Sequence, residues 1–80
     1  MNSLTKDAFS SIDIALGVES VVEEYEWVAK HAEMYFGIHD AFPTKQRLVI
    51  RGERAYDQLL LEVPGVGIRE YWFDITSFYQ

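Results

Sequence analysis

The sequence predicts an α+β domain in which one long amphipathic helix, preceded by a short helix, packs on a three-stranded antiparallel β-meander. Three observations predict it. Apolar residues recur at three- and four-residue steps between Val18 and Phe36. After Pro43 the period drops to two. The later segments are joined by short Gly- and Pro-containing turns, which only antiparallel neighbours can use.

The helix places Val18, Val21, Val22, Tyr25, Ala29, Ala32 and Phe36 on an inward stripe, and Glu19, Glu23, Glu26, Lys30 and Glu33 on the opposite one. Ser20 followed by Glu23 fits a capping box. Gly37 can end the helix and Pro43 blocks a restart. Upstream, Ser3 is placed to cap a shorter helix with Leu4, Ala8, Ile12, Ala15 and Leu16 inward. The alternation of Ile12, Ile14 and Leu16 leaves a strand as its rival.

The predicted strands are Gln46 to Arg51, Tyr56 to Val63 and Ile68 to Phe78. Gly52-Glu53 marks the first turn, and Pro64-Gly65 fits the centre of a type II turn. Leu59-Leu60-Leu61 and Tyr71-Trp72-Phe73 send large apolar side chains to both sheet faces, because successive strand residues alternate. One long helix covers one face. The other face is either wrapped by the N-terminal segment or the 37–44 loop, or is a candidate interface with a second copy or a foreign partner, with Trp72 as anchor and Arg47, Arg51 and Arg69 as rim.

The chain has 80 residues, the length of one domain spanning 1–80. It is 49% hydrophobic and 15% aromatic, too apolar for a disordered chain. It has no cysteine, so a disulfide framework, a thiolate zinc site and a nucleophilic thiol are all excluded, and a reducing cytoplasm is the expected compartment. Charged residues interrupt the N-terminal segment, which is neither a signal sequence nor a membrane span. The net charge is −6. Residues 1–40 hold eight acids against two bases, and residues 41–80 hold five of each, so the excess lies in the first half. Direct nucleic-acid binding and adsorption to an anionic membrane both need the opposite balance. A basic protein is the better electrostatic match.

No constellation for chemistry emerges. His31 and His39 are eight residues apart, whereas a helical metal pair takes i and i+4. They read as a helix-flank and a loop histidine. Asp74, between Phe73 and Ile75, is best explained by exposure or by an arginine partner such as Arg69 or Arg47. Gly65-Val66-Gly67 lacks the spacing and the following helix of a phosphate loop. No catalytic, cofactor-binding or metal residue is assigned and no cofactor is expected.

These readings point to a non-enzymatic protein-binding module, a small acidic inhibitor or regulator of a basic, nucleic-acid-handling protein. Its size and charge are those of immunity and phage anti-defence proteins. Partner contact is expected through Glu19, Glu23, Glu26, Glu33, Trp72, Arg47 and Arg51. The alternatives are a homodimeric subunit of a larger assembly and a small-molecule-binding or enzymatic domain using Tyr, Asp and His.

Overall fold

The computed structural model describes residues 4–79. A 3₁₀ turn (Ile12–Ile14) leads into a two-residue strand β1 (Leu16–Gly17), the helix α1 (Val21–Phe36), and the strands β2 (Lys45–Arg51), β3 (Arg54–Val63) and β4 (Gly67–Asp74). The architecture is α+β, one helix against one sheet of order β1-β4-β3-β2.

The capping residues act much as their spacing predicts. Ser20 is extended (φ −161°) and its hydroxyl accepts the Glu23 N–H at 3.1 Å. The Glu23 carboxylate returns to the Glu19 N–H at 2.9 Å, one residue upstream of a standard box. At the other end Gly37 turns left-handed (φ +67°), and the N–H groups of Gly37 and Ile38 reach the carbonyls of Glu33 and Ala32. The bond from Gly37 to Glu33 is the 5→1 bond of a left-handed (αL) closure, and the positive φ is why glycine is there.

The helix faces differ from the prediction. The buried helical residues are Glu24, Val28, His31 and Ala32, with Tyr25, Trp27, Ala29, Tyr35 and Phe36 half-buried. Val21 and Val22 are exposed. The inward stripe is thus rotated toward Glu24 and His31. Hydropathy alone pointed the other way, because two ionisable residues occupy inward positions and two valines do not.

The strands β2, β3 and β4 form the expected antiparallel meander. Gly52 (φ +61°) opens the two-residue turn between Arg51 and Arg54, as a type II′ hairpin requires. Pro64 and Gly65 (φ +79°) occupy the centre of the next turn, closed by the Val66 N–H on the Val63 carbonyl at 2.9 Å. Two expectations are corrected here. β4 stops at Asp74 rather than continuing to Phe78, because the Asp74 carboxylate accepts the Thr76 N–H at 2.9 Å and the chain turns. The short helix is replaced by the 3₁₀ turn and by β1, which adds a fourth strand parallel to β4 at Phe73 and Asp74. The predicted cap, Ser3, lies outside the described residues.

Register assigns the faces, since directly opposed residues share one. Ala55, Asp57, Leu59, Leu61 and Val63 of β3 line up with Arg69, Tyr71 and Phe73 of β4 and Gln46, Leu48 and Ile50 of β2, facing α1. The opposite face carries Lys45, Arg47, Val49, Arg51, Arg54, Tyr56, Gln58, Leu60, Ile68, Glu70, Trp72 and Asp74. The core joins Val28 and Ala32 to Leu59, Leu61, Val63, Tyr71, Phe73 and Ile75.

Phe9 closes this core from the N-terminal side. Its backbone is left-handed (φ +38°), its carbonyl accepts the Trp72 N–H at 2.8 Å, and its ring packs on Trp27, His31, Tyr71 and Phe73. A left-handed conformation is unfavourable for a bulky residue. Burial of the aromatic ring offsets it.

The rotated stripe gives a direct test. Val28→Ala should cost about 2 kcal/mol, from lost transfer energy plus a cavity. Val22→Ala should stay within about 0.5 kcal/mol, as surface substitutions do. Urea denaturation of the two variants separates this assignment from one in which Val22 faces the core.

Candidate functional site

Three places in the molecule concentrate unusual chemistry. The first is a cleft at the exposed flank of α1, about 470 Å³, lined by Val21, Val22, Tyr25, Glu26, Ala29, Asp40, Ala41 and Phe42. Phe42 is 70% exposed, in the segment between α1 and β2. Its ring meets that of Tyr25 at 5.1 Å, and the Tyr25 hydroxyl donates to Gln46 of β2 at 3.2 Å. The cleft wall is therefore fixed at both ends, while its valines and Phe42 face solvent. Its polar rim is acidic, Glu26 and Asp40. Lys30, the one base of α1, lies over the Trp27 ring at 5.3 Å.

The second place is the edge strand β2. Lys45, Arg47 and Arg51 project from the face away from α1 and are exposed. Among the described residues none of the three makes an ion pair, whereas Arg54 beside them is held by Asp74 at 3.1 Å. Asp74 thus has an arginine partner, but Arg54 rather than Arg69 or Arg47. Its carboxyl lies below the usual range: burial alone would raise it, and bonds from Thr76 with the Arg54 charge outweigh that.

The third place is the interior, where two polar clusters are sealed. Glu24 is completely buried and neither of its oxygens meets an N–H or O–H donor. Burial, then the adjacent Asp57 side chain, push its pKa up from 4.5 to about 8. At neutral pH Glu24 therefore keeps its proton and donates toward Asp57. Asp57 also accepts from the Gln46 amide at 3.3 Å.

His31 is likewise completely buried. Its Nδ1 accepts the Tyr71 hydroxyl at 2.8 Å and its Nε2–H donates to the Thr5 carbonyl at 2.9 Å, an assignment that satisfies both nitrogens of the neutral ring. Burial lowers its pKa, the Thr5 carbonyl opposes this, and the Arg69 charge adds to the lowering. Arg69 stacks over the Tyr71 ring at 4.3 Å and donates to the Ala8 carbonyl at 2.7 Å. Tyr35 donates to the Leu4 carbonyl. His31, Tyr35 and Arg69 thus tie residues 4–8 to α1 and β4.

The residues singled out in the sequence fall on separate surfaces. Glu26 and Glu33 are exposed on α1, and Glu19 is exposed just before its N-cap. Glu33 pairs with His39 at 3.5 Å, and Glu23 is engaged in the cap. Arg47 and Arg51 lie together on β2. Trp72 is on the sheet face away from α1 but only 8% exposed, and its indole N–H donates to Glu70 at 2.9 Å. His31 is a core residue rather than a flank residue; its neighbours Thr5 and Tyr71 are too distant in sequence to signal this. Sequence reasoning also missed Phe42, Val21 and Val22 as surface residues. Among the described residues, no three His, Asp or Glu side chains converge as a metal site. No described helix is long and apolar enough to cross a membrane. Comparison with protein-family models, curated proteins and solved structures finds no match to this chain.

Glu24 and His31, both fully buried, act on stability in opposite directions. For Glu24 the folded pKa is raised, so its contribution is greatest below 4.5 and is lost as pH rises toward 8. For His31 the folded pKa is lowered, so stability is lost as pH falls below 6.5. Glu24→Gln keeps a donor for Asp57 and removes the alkaline decline. The wild type should lose up to about 1.4 kcal/mol per pH unit between roughly pH 5 and pH 8 from Glu24. Denaturant titrations across that range should show the variant flatter than wild type; equal slopes would mean that Glu24 titrates normally.

Proposed function

We propose that the protein is a non-enzymatic binding module, an acidic inhibitor or regulator that docks a basic protein through the α1 cleft. The observation that carries this reading is the cleft itself: Val21, Val22 and Phe42 exposed around a wall held by Tyr25, inside a rim of Glu26 and Asp40. Solvent-exposed apolar side chains grouped in this way mark interaction surfaces more often than isolated ones do. An aromatic anchor supplies contact area at small entropic cost. The surrounding carboxylates, with Glu33 further along α1 and Glu19 just before its cap, favour an approaching basic surface and disfavour an acidic one. A partner segment with an apolar anchor flanked by Lys or Arg fits both features. The cytoplasm is the setting proposed, since the chain relies on no disulfide.

Phe42, Glu26 and Asp40 are exposed, so they can be changed without unfolding the domain. Phe42→Asp should abolish capture of the partners that the wild type retains at low salt, with the melting curve unchanged. Glu26→Lys combined with Asp40→Lys should slow association with an identified partner and weaken its salt dependence, because charge acts mainly on the encounter. Retention of the same partners by Phe42→Asp would overturn the reading. A stable wild-type dimer that Phe42→Asp converts to monomers would replace it with a subunit of a homomeric assembly.

A further inference from the structure

We infer that the free edge of β2 is a strand-addition site for an extended acidic segment of another protein, with a carboxylate at alternate residues and apolar side chains between them. This goes beyond the α1 cleft: it uses another element and the opposite charge.

The first support is the state of the edge. β2 is the last strand of the sheet, so one row of its backbone N–H and C=O groups has no strand beyond it among the described residues. Its seven residues pair one-to-one with β3, without a bulge, and contain no proline. Every residue of β2 is exposed except Val49, which is half-buried. Bulges, prolines and covering loops commonly close such an edge, and among the described residues β2 has none of them; its protection against unspecific pairing rests on its charged side chains.

The second support is the alternation of side chains. Lys45, Arg47 and Arg51 share the face away from α1 and, among the described residues, make no ion pair. Leu48 and Ile50 share the other face and are 46% and 54% exposed. In an added strand, directly opposed side chains lie about 5 Å apart and alternate with the same period of two. A strand with carboxylates against the bases and apolar groups against Leu48 and Ile50 satisfies both rows at once. Main-chain hydrogen bonds and apolar contact then supply affinity, while the charges select the sequence.

A second copy of this chain is the wrong occupant. Antiparallel pairing of two β2 edges about a two-fold axis puts Lys45, Arg47 and Arg51 of both copies on one face, where opposed like charges destabilise the ladder. The residues that block self-pairing are the ones that attract an acidic strand.

The test uses a terminally blocked peptide of alternating Glu and Val. It should bind the full chain, shift the amide resonances of β2 and slow their hydrogen exchange. Arg47→Glu combined with Arg51→Glu should weaken it at least about tenfold, with an unchanged melting curve. A peptide of alternating Lys and Val should bind that variant and not the wild type. Methylating alternate backbone nitrogens on the pairing edge of the peptide should abolish binding. The proposal is overturned by no binding at about 1 mM peptide, by resonance shifts confined to α1, by unchanged affinity of the double variant, or by equal affinity of the methylated peptide.

Discussion

A helix is about 10 Å across with its side chains, while strands repeat at about 4.8 Å, so one helix covers roughly two strands. This sheet has four. The central pair, β3 and β4, takes the cover: Leu59, Tyr71 and Phe73 are fully buried. The outer strands must be handled otherwise, and the two edges are handled differently. Much of what is distinctive in the molecule follows from that mismatch of widths.

On the β4 side the N-terminal segment does the covering. Residues 4–9 are held by Tyr35, His31 and Arg69 to carbonyl oxygens, and by Phe9 in the core. These bonds are part-buried, so leaving either partner unpaired would carry a cost. As the neutral ring, His31 accepts from Tyr71 at Nδ1 and donates to Thr5 from Nε2, and burial together with the Arg69 charge favours that neutral form. On the β2 side no equivalent segment is seen among the described residues. Leu48 and Ile50 point toward the helix layer and remain about half exposed, because α1 lies over β3 and β4.

The sequence displayed the strands clearly because alternation is local. Arg47, Val49 and Arg51 against Leu48 and Ile50, then Gly52 and Pro64-Gly65, fix the meander to within a few residues. It displayed the helix, with its cap and its closing glycine, for the same reason. It did not display which way the helix faces. Glu24 can be buried because it keeps its proton and Asp57, thirty-three residues on, accepts its hydrogen bond, and His31 because Thr5 and Tyr71 meet its nitrogens. Such pairings are set by tertiary contacts, and hydropathy counts those residues as surface. β1 was illegible in another way. Two residues are too few to show a period, and their pairing with β4 depends on how the preceding turn crosses the sheet. For the candidate surfaces the acids of α1 and the bases of β2 were visible; the cleft was not, since Val21 and Val22 had been assigned to the core.

Net charge conceals how these surfaces differ. The value of −6 describes the chain seen from beyond a Debye length, about 8 Å at physiological salt. Within that distance α1 is acidic and the outer face of β2 is basic. The two are joined through Gln46, whose carbonyl oxygen accepts from Tyr25 in the cleft wall and whose amide donates to Asp57 below Glu24. An amide serves both roles because it offers an acceptor and a donor on opposite sides of one plane. A carboxylate there would face Asp57 with like charge, and an ammonium would have no acceptor to offer Tyr25. Gln46 is also the second residue of β2, next to Lys45 and Arg47. One side chain therefore links the cleft wall to the surroundings of the buried acid, and it does so from the strand whose other face carries the basic row.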